Sequence, residues 1–259
     1  MKKGGLARRA GYLTQARTDS TLNLTVDVGN FAPPSHARAD SVKTRTLVDF
    51  YRKYNYDAIG LSSREMQFGL PEWKQVAAEG VPILAANIFT DAGRRKPLFE
   101  QYRIKKEQGA RLGVIGFVSA TAWAARADTA DTCQQLYFVS PFEQRKLVEK
   151  LARKCDHLTI TGEFSPTEAD SLAKVYPQVD LILSSGLRSG ERPKEVGNAV
   201  ILGVQNRGYF ANYLEWNLAA TDSTARYRAA SATLDPSVPE DSTMARALNL
   251  AKEEMVRPR

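Results

Sequence analysis

A chain of 259 residues, 43% hydrophobic and 25% charged, is long enough to bury the core of a large α/β domain and ordinary for a globular protein. No apolar run approaches the ~18 residues of a membrane span, and Gly4-Gly5 follows Met1-Lys2-Lys3 at once, leaving no apolar core of a signal peptide. The net charge of +7 admits an anionic partner, but Lys and Arg are interspersed with acids along the helical segments, a pattern of solvated faces, and they do not alternate with aromatics as on a nucleic-acid surface.

In chain order, residues 4–17 predict a helix, with Leu6, Ala10 and Leu13 as its apolar stripe. The run from Asn23 to Val28 predicts a strand that stops at Gly29-Asn30-Phe31, and Pro33-Pro34 marks a loop. A helix is expected over 41–55, with Val42, Thr46, Leu47, Phe50 and Tyr54 on one face. A second apolar run, 57–61, stops at Ser62-Ser63-Arg64-Glu65. A short helix follows over 71–79, then a strand over 82–88. Residues 97–105 and 111–118 predict a hairpin around Gln108-Gly109, and 120–136 an irregular insertion.

Residues 141–155 form an amphipathic pattern with Val148, Leu151, Ala152 and Cys155 on the apolar face. A strand is expected over 157–161 and a helix over 166–175, where Ser165 and Glu168 are spaced for a capping box. The strand over 179–183 ends at Ser184-Ser185-Gly186-Leu187-Arg188. Strands over 199–204, 213–218 and 226–234 follow. The pattern reads as one domain over 1–259, its last part, 235–259, being a linker-like turn and a helix capped by Asp241 with Met244, Leu248, Ala251 and Met255 inward.

Buried strands whose C-terminal ends carry polar residues bring those residues to one rim of a sheet, where α/β proteins build sites. The candidates are Asp27 and Asn30, then Ser63, Arg64 and Glu65, then Glu163, then Gly186 and Arg188. The serines of Ser62-Ser63 and Ser184-Ser185 have no histidine in a supporting motif, and the Gly186–Gly190 stretch lacks a phosphate-loop lysine. His36 and His157 are the two histidines, and Cys133 and Cys155 the two cysteines; the cysteines allow one disulfide and no zinc or haem spacing.

Several of these stretches resemble the 5′-nucleotidase branch of the calcineurin-like metallophosphoesterases. Gly4-Gly5-Leu6-Ala7-Arg8-Arg9 is similar to that family's G-G-L-A-R-R segment, Asn55-Tyr56-Asp57-Ala58 to its G-Y-D-A strand entry, and Pro82 to Asn87 to its P-x-L-x-A-N. Asp27-Val28-Gly29-Asn30-Phe31 stands where the family has D-x-G-D-F, and Gly60 to Gly69 where it has G-N-H-E-x-x-x-G.

The resemblance implies a four-layer αββα sandwich and two divalent metals such as Mn, Zn or Fe held at the strand ends. The ligand positions, however, are changed. The family's D-x-H strand would precede Gly4, where only Met1-Lys2-Lys3 stands, so its first strand is expected to be lacking. The bridging Asp corresponds to Asn30, and the Asn-His pair to Ser63-Arg64. The S-H strand end corresponds to Thr161-Gly162-Glu163, and the G-H-x-H to Ser185-Gly186-Leu187-Arg188.

The expectation is therefore a vestigial site without catalytic residues, metal or cofactor, in a binding, scaffold or accessory domain. The alternative is a metal-dependent phosphohydrolase acting on nucleotides or other phosphate esters. Another domain or chain is expected to dock on the sheet edge or the old cleft, with no nucleic-acid partner. The resemblance implies a periplasmic or extracellular place. Arg64 and Arg188 are expected to pair with Asp27, Glu65 and Glu163 in a network that replaces the metals.

Overall fold

A computed structural model describes residues 3–17, 23–126, 135–187, 193–204, 208–216 and 227–256. Helix α1 (Leu6–Ala16) buries Ala7 and Ala10. Strand β1 is only Val26–Asp27, and it pairs in parallel with β2 (Ala58–Ile59), Val26 opposite Ala58 and Asp27 opposite Ile59. Between them α2 (Arg38–Lys53) starts three residues before its expected bound. It buries Val42, Val48, Phe50 and Tyr51.

Ser62 begins a helix where the sequence predicts the polar end of a strand. Its side chain accepts a hydrogen bond from Arg64 N, Glu65 reaches back to the Ser62 N–H, and α3 (Ser63–Phe68) follows. This reciprocal pair satisfies donors that a helix start otherwise leaves open. Helix α4 (Leu70–Ala78) then carries Pro71 in its first turn and buries Trp73.

The strand expected over 82–88 is not a continuous ladder. Ile83 bridges to Ile59, Leu84 to Glu100, and only Ile88–Phe89 forms a named strand, β3, against β6 (Tyr137–Phe138). The reason is Asn87. Its buried amide donates to the carbonyls of Val118 and Val139, each at 2.8 Å, and accepts from Val118 N at 2.9 Å. Through this side chain the segment bonds to two different loops instead of to one neighbouring strand.

The larger sheet is mixed. Strands β4 (Tyr102–Glu107) and β5 (Ala110–Gly116) form the expected hairpin, with Gln108 and Gly109 both at positive φ. Helix α5 (Ala120–Ala124) opens the stretch expected to be irregular; residues 127–134, with Cys133, lie outside the described residues. A 3-10 turn (Pro141–Glu143) precedes α6 (Arg145–Ala152). Strand β7 (His157–Gly162) is buried along nearly its whole length between β5 and β8 (Leu181–Ser184), parallel to both, as a doubly covered strand must be. Helix α7 (Pro166–Val175) starts at the Ser165–Glu168 capping box. Strand β10 (Ala199–Gly203) joins β8 in parallel, and the short β9 (Lys194–Val196), which has no sequence signal, closes the order β4-β5-β7-β8-β10-β9.

Val148 and Leu151 of α6 and Ala169, Leu172 and Ala173 of α7 pack with Ile115, Ile160 and Ile182 of the sheet. Cys155 is half-buried in the same cluster. A second cluster joins α1, α2, α3 and α4 through Ala10, Phe50, Tyr51, Met66 and Trp73. Strands β11 (Phe210–Trp216) and β12 (Tyr227–Thr233) form a separate antiparallel ribbon. Helix α8 (Ser242–Val256) closes the described chain, with Asp241 Oδ1 accepting from Met244 N at 2.7 Å and Met244 and Leu248 on the core cluster. No described helix is long and apolar enough to cross a membrane.

Candidate functional site

The C-terminal ends of β1, β2, β7 and β8 converge, and the polar residues expected there meet in part. Asp27 is a fixed acceptor. Arg9 Nη2 donates to its Oδ2 at 2.7 Å, Tyr51 OH donates to the same oxygen at 2.9 Å, and Gly29 N donates to Oδ1 at 3.1 Å. The Arg9 guanidinium lies over the rings of Phe50 and Tyr56, 5.5 and 5.1 Å from their centroids. Burial opposes the Arg9 charge, but Tyr56, Asp27 and Tyr51 outweigh it and hold its pKa above the ordinary arginine value. Burial, offset in part by Arg9, pushes the Tyr56 hydroxyl up to about 12. Burial and then the Asp27 charge push Tyr51 well above its usual value. Both tyrosines thus stay neutral beside the charged pair, Tyr51 donating to Asp27.

Glu65 is fully buried and accepts five hydrogen bonds. Phe31 N and Ala32 N reach Oε1 at 2.9 and 2.7 Å. Asn30 N at 2.8 Å, Ser62 N at 2.9 Å and Ser62 Oγ at 2.5 Å reach Oε2. The chain can turn its N–H groups onto one carboxylate because Gly29 takes φ 92° and Asn30 takes φ 68°. Both values lie in the left-handed region that Gly occupies freely and Asn tolerates. A Cβ at Gly29 would also stand 3.0 Å from Glu65 Oε2. Glu65 therefore welds the β1 end to the start of α3.

Glu163, half-buried just beyond β7, makes the third junction. Its Oε2 accepts from Ser63 N and from Ser63 Oγ, both at 2.6 Å, across 100 residues of sequence. Ser184 makes the fourth. Its Oγ accepts from Phe164 N at 2.8 Å and from Gly186 N at 3.1 Å and donates to Phe164 O at 2.9 Å. Gly186 follows so closely that a Cβ there would sit 2.5 Å from Phe164 O.

Of the expected residues, Asp27, the Asn30 backbone, Ser63, Glu65, Glu163 and Gly186 thus occupy joined strand ends. Arg64 does not take part: it is exposed, and among the described residues its guanidinium makes no ion pair. The expected Arg64 network is corrected accordingly; the arginine that meets a carboxylate here is Arg9. Arg188 lies outside the described residues. His36 is exposed against the Phe68 ring, and His157 starts β7, at the opposite end of that strand from Gly162. The reading along the sequence missed Arg9, Tyr51, Ser62 and Ser184. Ser62 carried a signal, since Ser62-x-x-Glu65 is a capping-box pattern. The others are long-range contacts without a local mark.

The donor set can be tested against the two metals that the resemblance implies. Among the described residues no group of three or more His, Cys, Asp or Glu side chains is placed to hold an ion. Each nearby carboxylate already faces donors: a guanidinium and a phenol at Asp27, backbone N–H groups at Glu65, and a serine at Glu163. A cation at any of them would have to displace a positive group or open a buried backbone hydrogen bond. These residues do not fit a dinuclear centre of the usual kind.

No family profile matches the chain. It is 29% identical to a 5′-nucleotidase of Vibrio cholerae over 159 residues, 58% of this chain and 28% of that protein. A sulfate thiohydrolase, SoxB, of Thermus thermophilus superposes over 97% of this chain and 47% of its own, with a TM-score of 0.81 and 19% identity. The calcineurin-like phosphoesterase YfkN of Bacillus subtilis covers 98% and 90%, with a TM-score of 0.73 and 18% identity. The chain thus spans about a quarter of the curated relative and about half of the first solved structure. Its fold is that of the calcineurin-like phosphoesterases, and over the matched stretch it is similar to a 5′-nucleotidase.

Proposed function

We propose that this chain is a 5′-nucleotidase-like domain in which the metal-holding strand ends have been converted into a structural joint, and that it acts as a binding or accessory domain rather than a phosphoesterase. The observation that carries this reading is the saturation of Glu65 by five donors and of Asp27 by three. A ligand carboxylate must offer its lone pairs to a metal, and a carboxylate so enclosed by donors offers few. Arg64 supports the same reading, because a guanidinium remains protonated and can only donate. The resemblance to the 5′-nucleotidases supports a periplasmic or extracellular setting, and in this reading another domain or chain docks on the sheet edge or the old cleft.

Elemental analysis and turnover test this together. The purified chain is expected to carry no stoichiometric Mn, Zn, Fe or Ca, and to leave AMP and p-nitrophenyl phosphate unhydrolysed above background with Mn added. Two equivalents of tightly held metal, with turnover that a chelator abolishes, would instead make it a metal-dependent phosphohydrolase.

A further inference from the structure

Helix α6 carries the sequence Arg145-Lys146-Leu147-Val148-Glu149-Lys150-Leu151-Ala152 and runs into Arg153-Lys154. Its inner face is accounted for by Val148 and Leu151, which are buried against the sheet. Its outer face is not. Arg145, Lys146, Lys150, Arg153 and Lys154 are all exposed, and among the described residues none of the five has a carboxylate within ion-pair distance.

Elsewhere many cations are paired, Arg9 with Asp27, Arg45 with Glu254, Arg52 with Glu79, Lys105 with Asp57, Lys194 with Asp170, while others such as Arg64, Lys74, Lys106 and Lys252 are exposed without an ion pair among the described residues. What sets α6 apart is concentration: five such unpaired cations stand within ten residues, 145–154. That stripe works against the helix that bears it. Lys146 and Lys150 are like charges one turn apart, Glu149 is the one acid among the cations, and Arg145 and Lys146 stand at the positive end of the helix, whose first turn holds no acid.

The geometry points to α6 as a docking surface for an acidic protein segment, one that presents carboxylates at one-turn spacing. Lys146 and Lys150 one turn apart, with Arg153 and Lys154 in the turn that follows, match such a row, and the eight helical residues span only ~12 Å. A broad anionic plane fits less well. Glu143, held by Arg94, and Asp156, held by Arg111, flank the stripe and would be pressed against lipid headgroups. The exposed large hydrophobics among the described residues, Tyr209, Leu250 and Val256, lie elsewhere, so α6 offers neither a membrane anchor nor an aromatic platform for bases. Such a surface would serve the accessory role proposed above; the metal and turnover assays judge that role separately.

The test measures binding of a short helical Ala/Glu peptide to the full chain by fluorescence anisotropy at low and at physiological salt. Duplex DNA and phosphatidylserine vesicles are run beside it. Lys146→Glu, Lys150→Glu and Arg153→Glu together are expected to weaken the peptide by more than about tenfold. A control reversing exposed cations elsewhere, Lys74→Glu, Lys106→Glu and Lys252→Glu, makes the same change in net charge and should leave binding within about twofold. Circular dichroism confirms that both variants fold; Gln at the three stripe positions gives the same comparison without reversed charge. Equal loss in both variants would overturn the assignment, since net charge alone would then explain it. So would absence of peptide binding, or stripe-dependent binding of DNA or vesicles that is tighter than that of the peptide.

Discussion

At the strand ends, three carboxylates are each gripped by two or more donors, while along α6 and the turn after it five cations face water with no carboxylate of the described residues within ion-pair distance. Both regions are charged, and the physics that arranged them differs. In the buried joint a charge must be matched wherever it stands, because an unpaired one there costs several kcal/mol. On an exposed helix an unpaired cation is nearly free, and only repulsion from its like neighbours counts against it. Saturation at the strand ends is therefore a condition for holding carboxylates there. The run of unmatched charge on α6 is not required by folding at all.

The largest effect that would break this contrast belongs to Glu65. Glu65→Ala leaves the N–H groups of Phe31, Ala32 and Ser62 without their acceptor and Asn30 N with Ser62 Oγ alone. A loss of about 3–5 kcal/mol is expected in urea unfolding. A loss under about 1 kcal/mol would mean that water replaces the carboxylate and that the joint is loose.

Next comes the Arg9–Asp27 pair. Arg9→Met strands a carboxylate beside Tyr51 and is expected to cost about 3 kcal/mol. Adding Asp27→Leu should recover part of that loss, with a coupling of about 1–3 kcal/mol in the cycle. Strict additivity would show that each residue acts alone and would undo the reading of Asp27 as the anchor of Arg9.

The smallest effects sharpen the other side of the comparison. Lys146→Glu removes a repulsion and places an acid in the first turn of α6, so a gain of about 0.3–0.5 kcal/mol is expected. Arg64→Ala, at an exposed side chain without an ion pair, should stay within about 0.5 kcal/mol of the parent. A large loss at Arg64 would reopen its place in the strand-end network.

What the sequence made legible was local. The Ser165–Glu168 capping box marked the start of α7, and Gln108-Gly109 between two apolar runs marked the β4–β5 hairpin. The positions of the strand ends were legible too, since apolar runs stop there. What fills those ends was not. Arg9 meets Asp27 over 18 residues, Phe164 meets Ser184 over 20, and Ser63 meets Glu163 over 100, and no local pattern signals such pairs. Arg64 stood out only because of the residue it replaces, and the helix start turns its side chain to solvent. The segment 82–88 misled for a related reason: its apolar run is buried, but Asn87 binds it to loops.

The bond from Glu163 to Ser63 also divides the joint in time. The Glu65 cradle closes over about 33–35 residues, whereas the Glu163 contact closes over 100. Loop entropy separates the two by only about 1 kcal/mol, because it grows with the logarithm of length. On the ribosome the separation is larger. At ~5–20 residues per second, the hundred residues between Ser63 and Glu163 take about 5–20 s to be made. Through that interval the first half of the joint can form while its last carboxylate has yet to be synthesised, so the N-terminal layer must hold its shape without the strand that finally pins it.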